Sequence, residues 1–166
     1  MTNETEVKRS EMIDRLITTK VLHQIFDYMN IEYKEERYND IDMSVTANTY
    51  HAETKTFSID FTMDIEIKSR KCFVSTYNTS LMEVDKYNSL LQYNNDYKVY
   101  SVIYPLNNIV YLFNLNRINF NTIEKMNMQL PNETLTTDKI KYVNTECYML
   151  PFELGTLFEF DCSKYY

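Results

Sequence analysis

Asp42 and the Glu66-Ile67-Lys68 triplet combine residue types and spacing that suit metal-assisted hydrolysis. Residues two apart on an extended strand project from the same face, so Glu66 and Lys68 point into one space. Asp42 lies on the polar side of its own alternating run, with Ser44 and Thr46, opposite Ile41, Met43 and Val45. Where those strands are neighbours, the carboxylates of Asp42 and Glu66 share a hard, oxygen-seeking cation, Mg²⁺ or Mn²⁺. A metal-bound water is more acidic and a better nucleophile, and the cation neutralises charge on a phosphodiester in the transition state. Lys68 would orient or deprotonate that water, or hold the phosphate. Asp60 and Asp64 share the Glu66 face and would replace or supplement a ligand; Asp40 competes with Asp42 if the register slips by two. The competing account is a solvated face, as antiparallel sheets often carry. Against it, ionisable groups crowded on one strand face are costly without partners, and acids held close together suit a cation.

These residues need a scaffold, and the hydropathy pattern predicts one. Apolar residues at three- and four-residue steps predict a helix over residues 4–29, with Asn30 as its stop. Residues 31–37 read as a short edge strand and 40–47 as an alternating strand. Residues 57–68 alternate strictly, with Phe57, Ile59, Phe61, Met63, Ile65 and Ile67 on one side, which is a strong strand signal. Residues 79–93 return to helical spacing. Residues 98–104 and 109–115 flank Pro105-Leu106-Asn107-Asn108 and read as a hairpin. Beyond them, 121–128 reads as a short helix, 131–138 as a loop and 139–150 as a strand, and 151–166 has no clear period.

Composition narrows the functional classes. The single glycine, Gly155, excludes a dinucleotide fingerprint, a P-loop and a nucleophile elbow, all of which need glycine where backbone turns sharply or meets a phosphate. His23 and His51 are too far apart for a paired-histidine zinc motif. Cys72, Cys147 and Cys162 have no Cys-x-x-Cys spacing, and their odd number fits reduced thiols. The net charge of −7 argues against non-specific polyanion binding, although residues 71–125 alone are slightly basic, with 5 basic and 4 acidic groups. No run approaches the length of a membrane helix and the N-terminus is polar, so a cytoplasmic protein without membrane contact is expected.

The arrangement resembles the PD-(D/E)XK nuclease superfamily over about residues 4–115. That family's core is a helix, a three-strand meander bearing the Asp and the Glu-x-Lys, a second helix and a further strand. Asp42 in Asn39-Asp40-Ile41-Asp42 matches the Asp, and Glu66-Ile67-Lys68 matches the Glu-x-Lys. Ile41 stands where the family has proline, and 23 residues separate Asp42 from Glu66, which requires an extended hairpin. The resemblance implies a restriction-endonuclease-like α/β core, a mixed central sheet flanked by helices. Residues 1–166 would form one domain, with 4–115 the core and 116–166 an extension packed on it. It also implies a Mg²⁺- or Mn²⁺-dependent deoxyribonuclease with metal on Asp42, Glu66 and the Ile67 carbonyl, and Lys68 positioning the water. A Glu on the first helix is common in the family, and Glu11 is the best placed here, with Glu6 second. Lys86, in Glu83-x-x-Lys86 on the second helix, with Arg70 and Lys71 after the motif, would contact DNA. Cutting both strands of a duplex would take a homodimer. Abundant Asn, Lys, Ile and Tyr suggest an AT-rich, phage-like source. The alternatives are an inactive protein of the same fold, or a phage accessory protein acting by protein–protein binding.

Overall fold

The computed structural model describes residues 3–34, 41–131 and 142–166. Helix α1 spans Asn3–Leu22. No glycine or proline interrupts it, and Ile17, Val21 and Leu22 form its buried stripe. It stops short of residue 29 because its last hydrogen bonds tighten to three-residue steps, Gln24 N–H to the Val21 carbonyl and Ile25 N–H to the Leu22 carbonyl. Met29 and Ile31 fit helical and strand periods equally well. Pairing with Ala47 and Val45 decides for a strand, β1, Met29–Tyr33.

Strands β2, Met43–His51, and β3, Thr56–Ser69, form the long hairpin that the 23-residue spacing requires. A register shift lies between Ala47 and Asn48. The next segment departs from expectation. Residues 79–93 divide into strand β4, Thr79–Glu83, and helix α2, Val84–Leu90. Ser80 and Met82 are both buried, an alternation that overrides the helical spacing of Leu81 and Val84 once a partner strand is present. Strands β5, Tyr97–Tyr104, and β6, Ile109–Asn114, form the expected hairpin, with Asn108 in the left-handed conformation at the turn.

The expected helix at 121–128 is absent. A single 3₁₀ turn, Phe120–Thr122, leads into strand β7, Lys125–Pro131. Strand β8, Tyr142–Pro151, follows where a strand was expected, and β9, Thr156–Glu159, arises in the segment without a period. Gly155, just before β9, serves close approach: a Cβ there would lie 2.9 Å from the Phe113 ring.

The protein is mixed α/β. Its main sheet has the order β1-β2-β3-β5-β6-β9, antiparallel except for the parallel pair β3 and β5. The crossover between those two strands contains β4 and α2. A second sheet, β4-β8-β7, is antiparallel. One face of the main sheet packs on α1 through Met43, Val45, Ile65, Val99 and Ile103. The other face packs through Tyr100, Val102 and Phe113 against Leu90, Met82, Tyr148 and Leu150 of α2 and the second sheet. Residues beyond 115 are therefore woven into both sheets. Among the described residues no helix is long and apolar enough to cross a membrane. All three cysteines are free; Cys147 and Cys162 are buried.

Candidate active site

Sandwiching changes what the polar face of β3 meets. Its outer half is open, and Asp60 is exposed, taking a hydrogen bond from Thr49. From Met63 to Ile67 the strand is buried on both sides, because α2 and the second sheet cover the polar face. Asp64 and Glu66 are thus core residues, at 1% and 8% exposure, which excludes a freely solvated face at these positions.

Asp64 is fully provided for. Its carboxylate accepts from Ser44 Oγ at 3.0 Å and Asn95 Nδ2 at 2.7 Å, and pairs with Lys98 Nζ at 3.3 Å. That set gives it a structural place and leaves little capacity for a ligand.

Asp42 is positioned by the end of the β2–β3 ladder. Regular pairing ends at Met43 opposite Ile65, the Asp42 N–H donates to the Ile65 carbonyl, and Asp42 Oδ2 accepts the Ile67 N–H at 2.7 Å. The carboxylate thus continues the ladder by one bond, which fixes it beside Glu66-Ile67-Lys68. Asp42 Oδ1 faces Arg15 Nη2 at 3.8 Å. Ile41 falls into the core of the opposite layer from Met43 and Val45, since the chain bends at Asp42.

Glu66 receives no hydrogen bond among the described residues and faces Lys86 Nζ at 3.6 Å. Burial first, and the nearby charge of Asp42 second, push its carboxyl up to about 8. Burial also raises Asp42, against the Ile67 N–H and the charges of Arg15, Lys86 and Lys68. Lys68, on the Glu66 face, pairs with Glu83 at 3.8 Å.

No family model, curated protein or solved structure matches this chain. The chemistry must therefore be argued from these side chains. Burial raises both carboxyls, and the charge of Asp42 raises Glu66 further, so a nearby divalent cation would favour their ionised forms. Among the described residues no three His, Cys, Asp or Glu side chains group closely enough to hold an ion. Two carboxylates could hold an ion only with water or backbone oxygen in its remaining positions, an arrangement that Mg²⁺ accepts.

The fold brings Asp42, Glu66, Lys68 and Lys86 together. Glu11 is exposed on α1, and it is Asp14, one turn nearer the sheet, whose charge reaches Asp42. Burial pushes Asp14 up to about 6, while hydrogen bonds with Tyr166 and Ser69 and the charge of Lys71 oppose the rise. Arg70 is turned inward, donating to the Leu81 carbonyl at 2.7 Å, so its guanidinium is committed to the protein itself. Lys71 is exposed. Asp40 lies outside the described residues, as does most of the expected 131–138 loop. Asp14 and Arg15 were missed in the sequence. The available signal was that Asp14 heads the stripe continued by the buried Ile17 and Thr18, which points it at the sheet, whereas Glu11 lies a turn farther out.

Proposed function

We propose that the protein is a Mg²⁺- or Mn²⁺-dependent nuclease that hydrolyses DNA phosphodiester bonds at Asp42, Glu66 and Lys68. The observation that carries this reading is the juxtaposition of a buried, hydrogen-bond-poor Glu66 with Asp42 and two lysines. The element order helix, three-strand meander, crossover helix and parallel return strand supports a restriction-endonuclease-like core. The inserted β4 and the second sheet would be additions to it.

Asp42 and Glu66 would hold the cation, with water and the Ile67 carbonyl completing its shell. When bound, that cation supplies an acidified water and neutralises phosphate charge. Asp42 is tethered by the Ile67 N–H, which aims its carboxylate at Glu66-Ile67-Lys68. Lys86 lowers the cost of an ionised Glu66. Lys68 reaches into the same space on a flexible stem and would orient the attacking water or contact the phosphate. Burial of Glu66 at the base of the site lowers the dielectric around it, which strengthens its interactions with neighbouring charges.

Incubating single-stranded, duplex and branched DNA with Mn²⁺ or EDTA tests the reading. Cleavage should need the cation, and Glu66→Gln and Lys68→Ala should each lower its rate by roughly 10²–10⁴-fold. Mn²⁺ should also raise the melting temperature of the wild type and release protons near neutral pH, and do neither in Glu66→Gln. No cutting on any substrate, with melting unmoved by Mn²⁺, would leave a binding protein instead.

A further inference from the structure

Helix α1 covers the main sheet only as far as Leu22, and beyond that end the sheet keeps an apolar hollow. We propose that this hollow is a binding site for a small monocarboxylate with an apolar tail, separate from Asp42 and Glu66. It encloses about 460 Å³, within the roughly 300–1,000 Å³ of small-molecule sites.

Four neighbouring strands build its floor, through Met63 of β3, Val99 of β5, Leu112 of β6 and Phe158 of β9. The strand period puts Met63 on the face opposite Asp64 and Glu66, so the hollow looks away from the proposed nuclease site. Ile25 and Phe26, just after α1, form a wall. The Phe61 ring packs edge-on against Phe26 and Tyr97, each at 5.3 Å between ring centres, which fixes the shape of that side. Ile25 is 46% exposed, so the wall is open to an occupant from solvent.

The polar groups gather at the other side, where β6 ends and β9 begins. Thr156 pairs with Leu112, and Asn114 lies two residues on, so both share the face of the floor. The Asn114 side-chain oxygen accepts the Asn116 N–H at 3.2 Å, which leaves its amino group as a donor. Arg117 lies in the turn after β6 and is exposed, and of the described residues none pairs with its guanidinium. Among the described residues that line the hollow it is the one charged side chain.

A lone guanidinium balances one negative charge and forks onto the two oxygens of a carboxylate. A phosphate monoester brings nearly two charges and would find a single cation. The apolar floor rewards a tail by removing it from water. Acetate would use only the polar end, and a neutral hydrocarbon only the floor.

Decanoate and decanol share a tail and differ in the head, so titration calorimetry of the intact protein with each separates the two halves of the site. Neither DNA nor Mn²⁺ is needed, so the outcome is independent of the nuclease reading. Decanoate should bind saturably and at least about tenfold more tightly than decanol. Arg117→Gln should remove that advantage and leave decanol unchanged. Ile25→Glu, which sets a like charge in the wall, should weaken decanoate about tenfold or more. Both residues are exposed, so both variants should melt like the wild type. Methyl NMR locates the ligand: Val99 and Leu112 signals should shift, while Ile41 and Leu150, in the core on the other side of the main sheet, should not. Absence of saturable binding, equal affinity for decanoate and decanol, wild-type affinity in Arg117→Gln, or shifts confined to Ile41 and Leu150 overturns the proposal. So does a dimer in sedimentation that Ile25→Glu splits, since a second copy would then fill the hollow.

Discussion

Asp64 and Glu66 stand two residues apart on one face of β3, and both are buried. Asp64 has two hydrogen-bond donors and the Lys98 ammonium around it. Glu66 has one cation at 3.6 Å, no hydrogen bond among the described residues, and Asp42 as a like-charged neighbour. The first arrangement satisfies an ionised carboxylate and asks for nothing more. The second leaves a carboxyl that burial and a like charge keep protonated near neutrality. Burial alone does not distinguish a structural acid from a chemical one; the partners do.

The largest effect expected from this contrast is on stability. Asp64→Ala leaves Lys98 buried without its partner and should cost about 3–5 kcal/mol. Glu66→Gln replaces a largely protonated acid by an amide of the same shape and should change stability by less than about 1 kcal/mol at pH 7. Urea unfolding of the two variants measures both; equal losses would erase the distinction.

The pH dependence comes next. Glu66 has an ordinary value of 4.5 and is raised to about 8 in the folded protein. The folded state therefore binds the proton more tightly, and its stabilisation is complete below about pH 4.5. It is lost as pH rises to about 8, a decline on the order of a few kcal/mol. Asp14 adds a smaller decline of the same sign between its ordinary 3.8 and about 6. Unfolding free energies across this range should show the fall in the wild type, and a clearly shallower one in Glu66→Gln. A slope unchanged by that substitution would assign the proton elsewhere.

The smallest effect should come from Lys68. Its pair with Glu83 is partly exposed and 3.8 Å long, so Lys68→Ala should shift stability by no more than about 1 kcal/mol. A larger loss would move Lys68 from the chemical side of the comparison to the structural side.

Much of this was legible in the residues. Strict alternation over 57–68 marked β3, and Pro105 to Asn108 marked the β5–β6 turn. Both are local signals, set by the two-residue period of a strand and by a residue that tolerates the left-handed conformation. The juxtaposition of Asp42 with Glu66 followed from two neighbouring strands of alternating polarity. Misreadings clustered where pairing partners are distant in sequence. Residues 79–83 form a strand because β8 lies alongside them, and 125–131 because β8 has a second free edge. Neither partner is visible within a local window.

The sequence by itself determined the alternation of β3 and the presence of Asp, Glu and Lys on its polar side, because a strand's side-chain period is a property of the backbone. Which of those acids is satisfied and which is poised was decided only by the tertiary structure. Ser44, Asn95 and Lys98 converge on Asp64 from three separate segments, and packing of the layers buries Glu66. Proton affinity depends on burial and on charges within a few ångströms, and folding alone sets those distances.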